Sequence, residues 1–241
     1  MRALRRDAAA IRCFATLGDS ITAGAPLDSG PLWPQLLNDW LATRSPHVRH
    51  VNLAVSGALS RDVLSDQTPK ALETRPDLVT VICGANDMMY SPRPDIDSAA
   101  AHLTECLTSL TEAIAPRRVV TATYPNFVPL LPFRPRSRAR VTTSLAKLNE
   151  AIRAAAGAVG VRCVDLASMS AHHGDEVYAA DGTHPSQIGH EWIAVAMSVA
   201  LADQLKWPNP LPYWQARASR RAEPVMRMDR SLELPDGVIP F

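Results

Sequence analysis

Two short stretches of this chain carry residue types that can act on one another. The first is Gly18-Asp19-Ser20, where the apolar run in FATLGDSITAG (14–24) stops abruptly on an acid and a hydroxyl. The second is ADGTHPS near the other end of the chain, where Asp181 precedes His184 by three residues in what reads as one loop. At that spacing the carboxylate can accept from the imidazole Nδ1–H and leave Nε2 facing outward. An outward Nε2 is the base that a serine hydroxyl needs to become a nucleophile. Ser20 also has two other readings. It could cap a helix through its hydroxyl, or its loop could hold a phosphate on backbone N–H groups. Asp19 counts against the phosphate, since a carboxylate at the mouth repels an anion. There is also no GxGxxG after the first strand and no GK[ST] P-loop.

The rest of the chain must bring these stretches together. Five apolar runs, 11–18, 48–56, 77–84, 117–124 and 161–167, alternate with helical patterns, the last of them over 185–205. Such alternation predicts an α/β fold with a parallel sheet covered on both faces. Ligands in open parallel sheets bind beyond the carboxyl ends of the strands. Those ends are Gly18-Asp19-Ser20, then Ser56-Gly57, then Gly84-Ala85-Asn86-Asp87. In a 2-1-3-4-5 sheet, strand five lies three positions from strand one, roughly 14 Å at ~4.8 Å per strand. The seventeen residues from Ala167 to His184 span that easily at ~3.3 Å each. The same order sets Gly57 and Asn86 on the strands flanking Ser20. There the N–H groups of Ser20 and Gly57, with the Asn86 amide, could serve a developing oxyanion.

The blocks GDSIT, NLAVSG, GAND and DGTHP, which span residues 18 to 185 in this order, resemble the signature blocks of the SGNH hydrolases, also called the GDSL esterase/lipase family. Ile21 stands where the name-giving motif has Leu, a conservative apolar exchange. The resemblance implies a flavodoxin-like three-layer α/β/α sandwich with a five-stranded parallel sheet. It also implies a serine hydrolase for carboxylic esters. In it Ser20 is the nucleophile, His184 the base and Asp181 the orienting acid. Ser20, Gly57 and Asn86 line the oxyanion hole, and no cofactor or metal takes part. An acyltransferase or thioesterase could use the same constellation, and a non-catalytic flavodoxin-like binding module is the reading from another class. The α/β-hydrolase fold shares the order Ser, Asp, His, but it expects G-x-S-x-G, and here Thr22 stands at the second glycine position.

Composition bounds the remaining expectations. The chain has 241 residues, 46% of them apolar and 20% charged, with a formal net charge of +1, which gives no electrostatic reason for a nucleic-acid partner. No apolar run approaches the ~18 residues of a membrane span. The basic N-terminus has too short an apolar stretch for a signal peptide and leads straight into the first strand, so it reads as a cytoplasmic leader. The four cysteines form no CxxC pair and read as buried apolar residues. Asp19 and Asp87 are expected to hold strand-end loops by accepting N–H bonds. His47, His50, His102 and His190 are expected at the surface or half-buried. The segment 168–185 shows no strong element, and its His172-His173 with Asp175 and Glu176 makes a poor metal site because adjacent ligands are awkward for one ion. FRPRSRAR (133–140) reads as a solvated loop or a mobile flap beside the pocket that favours substrates with an anionic group. The chain divides into a catalytic domain, 1–205, and a Pro/Arg-rich extension, 206–241. The extension is expected to be irregular, with Trp207, Tyr213 and Trp214 packing part of it on the body.

Overall fold

The computed structural model of the chain describes residues 10–24, 30–169 and 174–219. Most of the N-terminal leader, the His172-His173 pair and the chain beyond 219 therefore lie outside the described residues. Parallel strands β1 (Cys13–Gly18), β2 (Arg49–Asn52), β3 (Leu78–Ile82), β4 (Val119–Ala122) and β5 (Arg162–Val164) form a five-stranded sheet in the order 2-1-3-4-5. Every residue of β1, β3 and β4 is buried. These are the inner strands, covered on both faces, and for that reason they read as unbroken apolar runs without alternation.

The helices are α1 (Ser20–Ala23), α2 (Trp33–Ala42), α3 (Ser60–Asp62), α4 (Thr68–Glu73), α5 (Ala85–Met89), α6 (Ile96–Ala113), α7 (Pro135–Ala158), α8 (Leu166–Met169), α9 (Gln187–Leu205) and α10 (Leu211–Ser219). A π-helical turn, Val63–Gln67, joins α3 to α4. α6 and α7 pack on each other and, with α3 and α4, cover one face of the sheet; α2 and α9 pair on the other. Local chemistry sets where the helices begin. The Asp95 carboxylate accepts from the Ser98 N–H ahead of α6, and the Ser186 hydroxyl accepts from the Gly189 N–H ahead of α9. In α2, the buried Trp33, Leu36, Leu37, Trp40 and Leu41 recur at three- and four-residue steps and make one apolar face.

Several expectations need correction. β2 stops at Asn52, not at Ser56-Gly57. The Asn52 side chain accepts from the Ala54 N–H and turns the chain, although the Leu53 and Val55 N–H groups still donate to Thr16 and Gly18 of β1. The arginine-rich stretch is no loop, because Pro135 opens α7 and the arginines after it lie in its first turns. Arg138 donates to the carbonyls of Pro129 and Leu131, and Arg140 to that of Ser91, so both are tied to neighbouring turns. His190 is buried, 1% exposed, where α9 meets α2, and its Nδ1 accepts from the Trp33 N–H. The segment after β5 is more ordered than expected. It holds α8, a 3₁₀ turn at Asp175–Val177 and a β-bridge from Tyr178 to Pro185. Cys13, Cys83 and Cys106 are buried, whereas Cys163 is only partly so.

The extension is in part helical. α10 lies on α9, with Trp214 only 4% exposed and its indole N–H donating to the Ser198 hydroxyl at 2.8 Å. This contact explains why α9 is apolar nearly all round: it faces the sheet on one side and α10 on another. Trp214→Ala is expected to lower stability by about 3 kcal/mol, as for other buried aromatics cut to alanine. Denaturant unfolding would check this, and an unchanged midpoint would show that α10 adds nothing to the body.

Candidate active site

The site is built around the point where β1 ends. Gly18 has φ +141°, and a Cβ there would stand 2.0 Å from the Ile82 carbonyl oxygen, so no side chain fits between β1 and β3. The buried Gln67 side chain grips both sides of this residue, accepting from the Gly18 N–H at 2.7 Å and donating to its carbonyl at 2.9 Å. Asp19 follows with its N–H on the Ile82 carbonyl. Its carboxylate caps α1 by accepting from the Ile21 N–H at 3.0 Å and takes the Tyr124 hydroxyl at 2.7 Å. Ser20 is the first residue of α1, half-buried at the rim.

The acid–base loop arrives from the far side of the sheet. The Tyr178–Pro185 bridge closes it, with the Ala179 N–H on the His184 carbonyl and the Ser186 N–H on that of Val177. Within it, one Asp181 oxygen accepts from the N–H groups of Thr183 and His184, at 2.8 and 3.0 Å. The other lies 2.6 Å from His184 Nδ1. His184 Nε2 then lies 2.9 Å from Ser20 Oγ. The structure thus brings Asp181, His184 and Ser20 into one hydrogen-bonded line across 164 residues of chain. Burial pushes the Asp181 carboxyl up, but the His184 N–H, the imidazole and the Thr183 N–H outweigh it and hold the group below the usual carboxylate range. An ionised Asp181 fixes the proton on Nδ1 and leaves Nε2 as acceptor.

The other two expected oxyanion donors lie in the segments that follow the strands beside β1. Gly57, with φ +83°, follows β2, and Asn86 is the second residue of α5 after β3. Neither the Ser20 nor the Gly57 N–H has a hydrogen-bond partner among the described residues. The Asn86 amide donates one N–H to the Ala58 carbonyl at 2.9 Å, which leaves its second N–H for a ligand. Asp87 adds a second tie between these two loops, accepting from both the N–H and the hydroxyl of Ser60. Both Asp19 and Asp87 therefore bind backbone N–H groups as expected. The rim beside Gly57 is apolar and open. Val55 is 53% and Tyr90 69% exposed, with the Tyr90 hydroxyl 3.8 Å from where a Gly57 side chain would begin. Below the acid–base loop, Ile21, Tyr124, Phe127, Tyr178, Pro185 and Trp192 line an apolar pocket. Among the described residues no cluster of His, Cys, Asp or Glu could hold a metal ion, and none of their helices is long and apolar enough to cross a membrane.

Residues 16–192 match the GDSL-like Lipase/Acylhydrolase family. The chain belongs to this family. It is 34% identical to Esterase TesA of Pseudomonas aeruginosa over 86 residues, which are 36% of this chain and 43% of that protein, so the match spans less than half of this relative. A lipase/acylhydrolase from Enterococcus faecalis superimposes with a TM-score of 0.62 at 25% identity, over 82% of this chain and 98% of that one. The acetylxylan esterase Axe2 from Geobacillus stearothermophilus, solved as a catalytic mutant, gives 0.63 at 19% identity, over 82% and 95%, a likeness of fold alone.

The residues not anticipated from sequence are those that hold the motif residues from a distance. Tyr124 lies 105 positions from Asp19, and Gln67 lies 49 from Gly18. No spacing rule joins such pairs; the only hint was a Tyr ending the fourth apolar run. Burial drives the Asp19 carboxyl up to about 6, although Tyr124, the Ile21 N–H and His184 all pull it down. A carboxyl whose folded value exceeds its unfolded one stabilises the fold fully below the unfolded pKa of 3.8, and that stabilisation is lost as pH rises through about 6. The loss is on the order of 3 kcal/mol at ~1.36 kcal/mol per unit. Asp19→Asn is expected to remove this slope. Unfolding free energies of wild type and variant between pH 4 and 7 should diverge in the variant's favour; parallel curves would show that Asp19 ionises as an exposed carboxylate does.

Proposed function

We propose that the protein hydrolyses small-molecule carboxylic esters through an acyl-enzyme on Ser20. His184 Nε2 takes the Ser20 proton as Oγ attacks the acyl carbon, and it then returns that proton to the departing alcohol. Asp181 fixes the imidazole tautomer and stabilises the imidazolium. The N–H groups of Ser20 and Gly57 and the free N–H of Asn86 receive the oxyanion of each tetrahedral intermediate. A water then enters the alcohol's place, His184 takes one of its protons, and the acid leaves with Ser20 Oγ regaining a proton. The steps need neither a cofactor nor a metal. On this reading residues 1–205 form the catalytic domain and 206–241 an extension, and the enzyme works in the cytoplasm without a nucleic-acid partner.

The observation that carries the proposal is the line from Asp181 through His184 to Ser20 Oγ, at 2.6 and 2.9 Å. Ser20→Ala is expected to abolish turnover of p-nitrophenyl acetate with little change in melting temperature, and an organophosphonate should label Ser20 alone. A labelled residue elsewhere in peptide mass mapping would overturn the assignment. For Asn86→Ala, kcat should fall ~10²–10³-fold while KM moves by less than about tenfold. A modest drop in melting temperature should accompany it, because the bond to the Ala58 carbonyl is lost too. Unchanged kcat in a folded Asn86→Ala protein would remove Asn86 from the oxyanion hole.

A further inference from the structure

We propose that Tyr124 is a positioning residue for Ser20: through the Asp19 carboxylate it holds the short helix that carries Ser20, and it keeps that carboxylate in the ionised form on which full activity depends. The inference rests on the proposed role of Ser20 as nucleophile.

Tyr124 lies beyond the end of β4, is 1% exposed, and is itself fixed. The Asn149 side chain, from the middle of α7, accepts from the Tyr124 N–H and donates to its carbonyl, both at 2.8 Å. From this clamp the side chain reaches across from the β4 side to the end of β1, and its hydroxyl donates to Asp19 Oδ2 at 2.7 Å. The other Asp19 oxygen accepts from the Ile21 N–H, one residue beyond Ser20. α1 has only four residues, and among the described residues the Asp19 carboxylate is the one side chain that caps it. A helix of one turn has almost no stability of its own. The position of Ser20 Oγ relative to His184 Nε2 therefore depends on the groups that pin its N-terminus.

The ionised carboxylate can accept from Ile21 and from Tyr124 at once. Once protonated, it carries an O–H on one oxygen, and that O–H and the Tyr124 hydroxyl cannot both donate across the same contact. The tie from β4 is weakened, and the negative charge that faces His184 is lost. The groups around Asp19 are Tyr124 after β4, Cys83 after β3, Asp87 in α5 and His184 in the acid–base loop. Of these, His184 favours the ionised form and Asp87 opposes it, while burial sets the carboxyl near 6. Removing the Tyr124 hydroxyl takes away a bond that favours ionisation, so the carboxyl should titrate at higher pH in Tyr124→Phe.

The test is the pH profile of kcat/KM for p-nitrophenyl acetate in wild type, Tyr124→Phe, Asp19→Asn and the double variant, with Ser20→Ala alongside. Wild type is expected to lose kcat/KM on the acid side, in part as Asp19 takes up a proton near 6. Tyr124→Phe should move the acid limb to higher pH and lower kcat about tenfold at pH 7, as for loss of a hydrogen bond to a charged group, with KM little changed. In Asp19→Asn the Asp19 contribution to that limb should be absent, and adding Tyr124→Phe to it should not shift the limb further. A Tyr124→Phe enzyme that melts lower but keeps the wild-type pH profile would reduce Tyr124 to a packing role and overturn the proposal. So would a profile shift that persists on top of Asp19→Asn. An active Ser20→Ala enzyme would sink the reading of the site itself, which an unchanged Tyr124→Phe profile alone would not.

Discussion

The Ser20 hydroxyl follows a point, at Gly18, where β1 and β3 meet backbone to backbone. The Ile82 carbonyl occupies the space that any Cβ on Gly18 would need, so only glycine fits where β1 ends. That single close approach ties four segments together. Gln67 binds both sides of Gly18, the Val55 N–H on the β2 side reaches its carbonyl, and Asp19 bonds to Ile82. Gly57 lies two residues past Val55, and Asn86 lies four past Ile82. The proposed oxyanion donors thus inherit their places from the same contact that places Ser20.

Buried polar groups tighten this arrangement and also make it sensitive. Asp19 is 1% exposed and acidic, which is costly unless its oxygens are satisfied. Here Ile21 and Tyr124 satisfy them, and the unfavourable burial shows as a carboxyl that titrates near 6. Asp181 has the opposite balance. It is a third exposed and accepts two backbone N–H groups besides the imidazole, so it stays ionised. Two aspartates within one site are thereby set apart by environment alone, one to hold a tautomer and one to hold a helix.

The fold class, the strand order and the residues that meet at the rim were legible in the chain. Parallel strands buried on both faces must be apolar throughout, and their carboxyl ends must return to small or polar residues, so the runs ending in Gly18-Asp19-Ser20 and Gly84-Ala85-Asn86-Asp87 mark themselves. The pairing of Asp181 with His184 is local, set by a loop whose three-residue spacing brings a carboxylate under an imidazole. Where the sequence reading failed, the deciding forces were nonlocal. Arginines at 134–140 look solvated, yet helix propensity and bonds to the carbonyls of Ser91, Pro129 and Leu131 draw the stretch into α7. His190 looks like a surface residue until α2 supplies the Trp33 N–H for its ring nitrogen.

What the sequence by itself determined is therefore everything governed by periodicity and short spacing: alternating strands and helices, a nucleophile candidate at the first strand end, and an Asp–His pair in the loop before α9. Tertiary structure alone decided which distant side chains hold those groups. Tyr124 and Asp19, or Gln67 and Gly18, share no pattern along the chain; they meet because strand order brings β4 within reach of the end of β1, and because the turn before α4 folds back under it. A hydrogen bond depends on distance in space, and sequence separation carries no record of that distance until the sheet has closed.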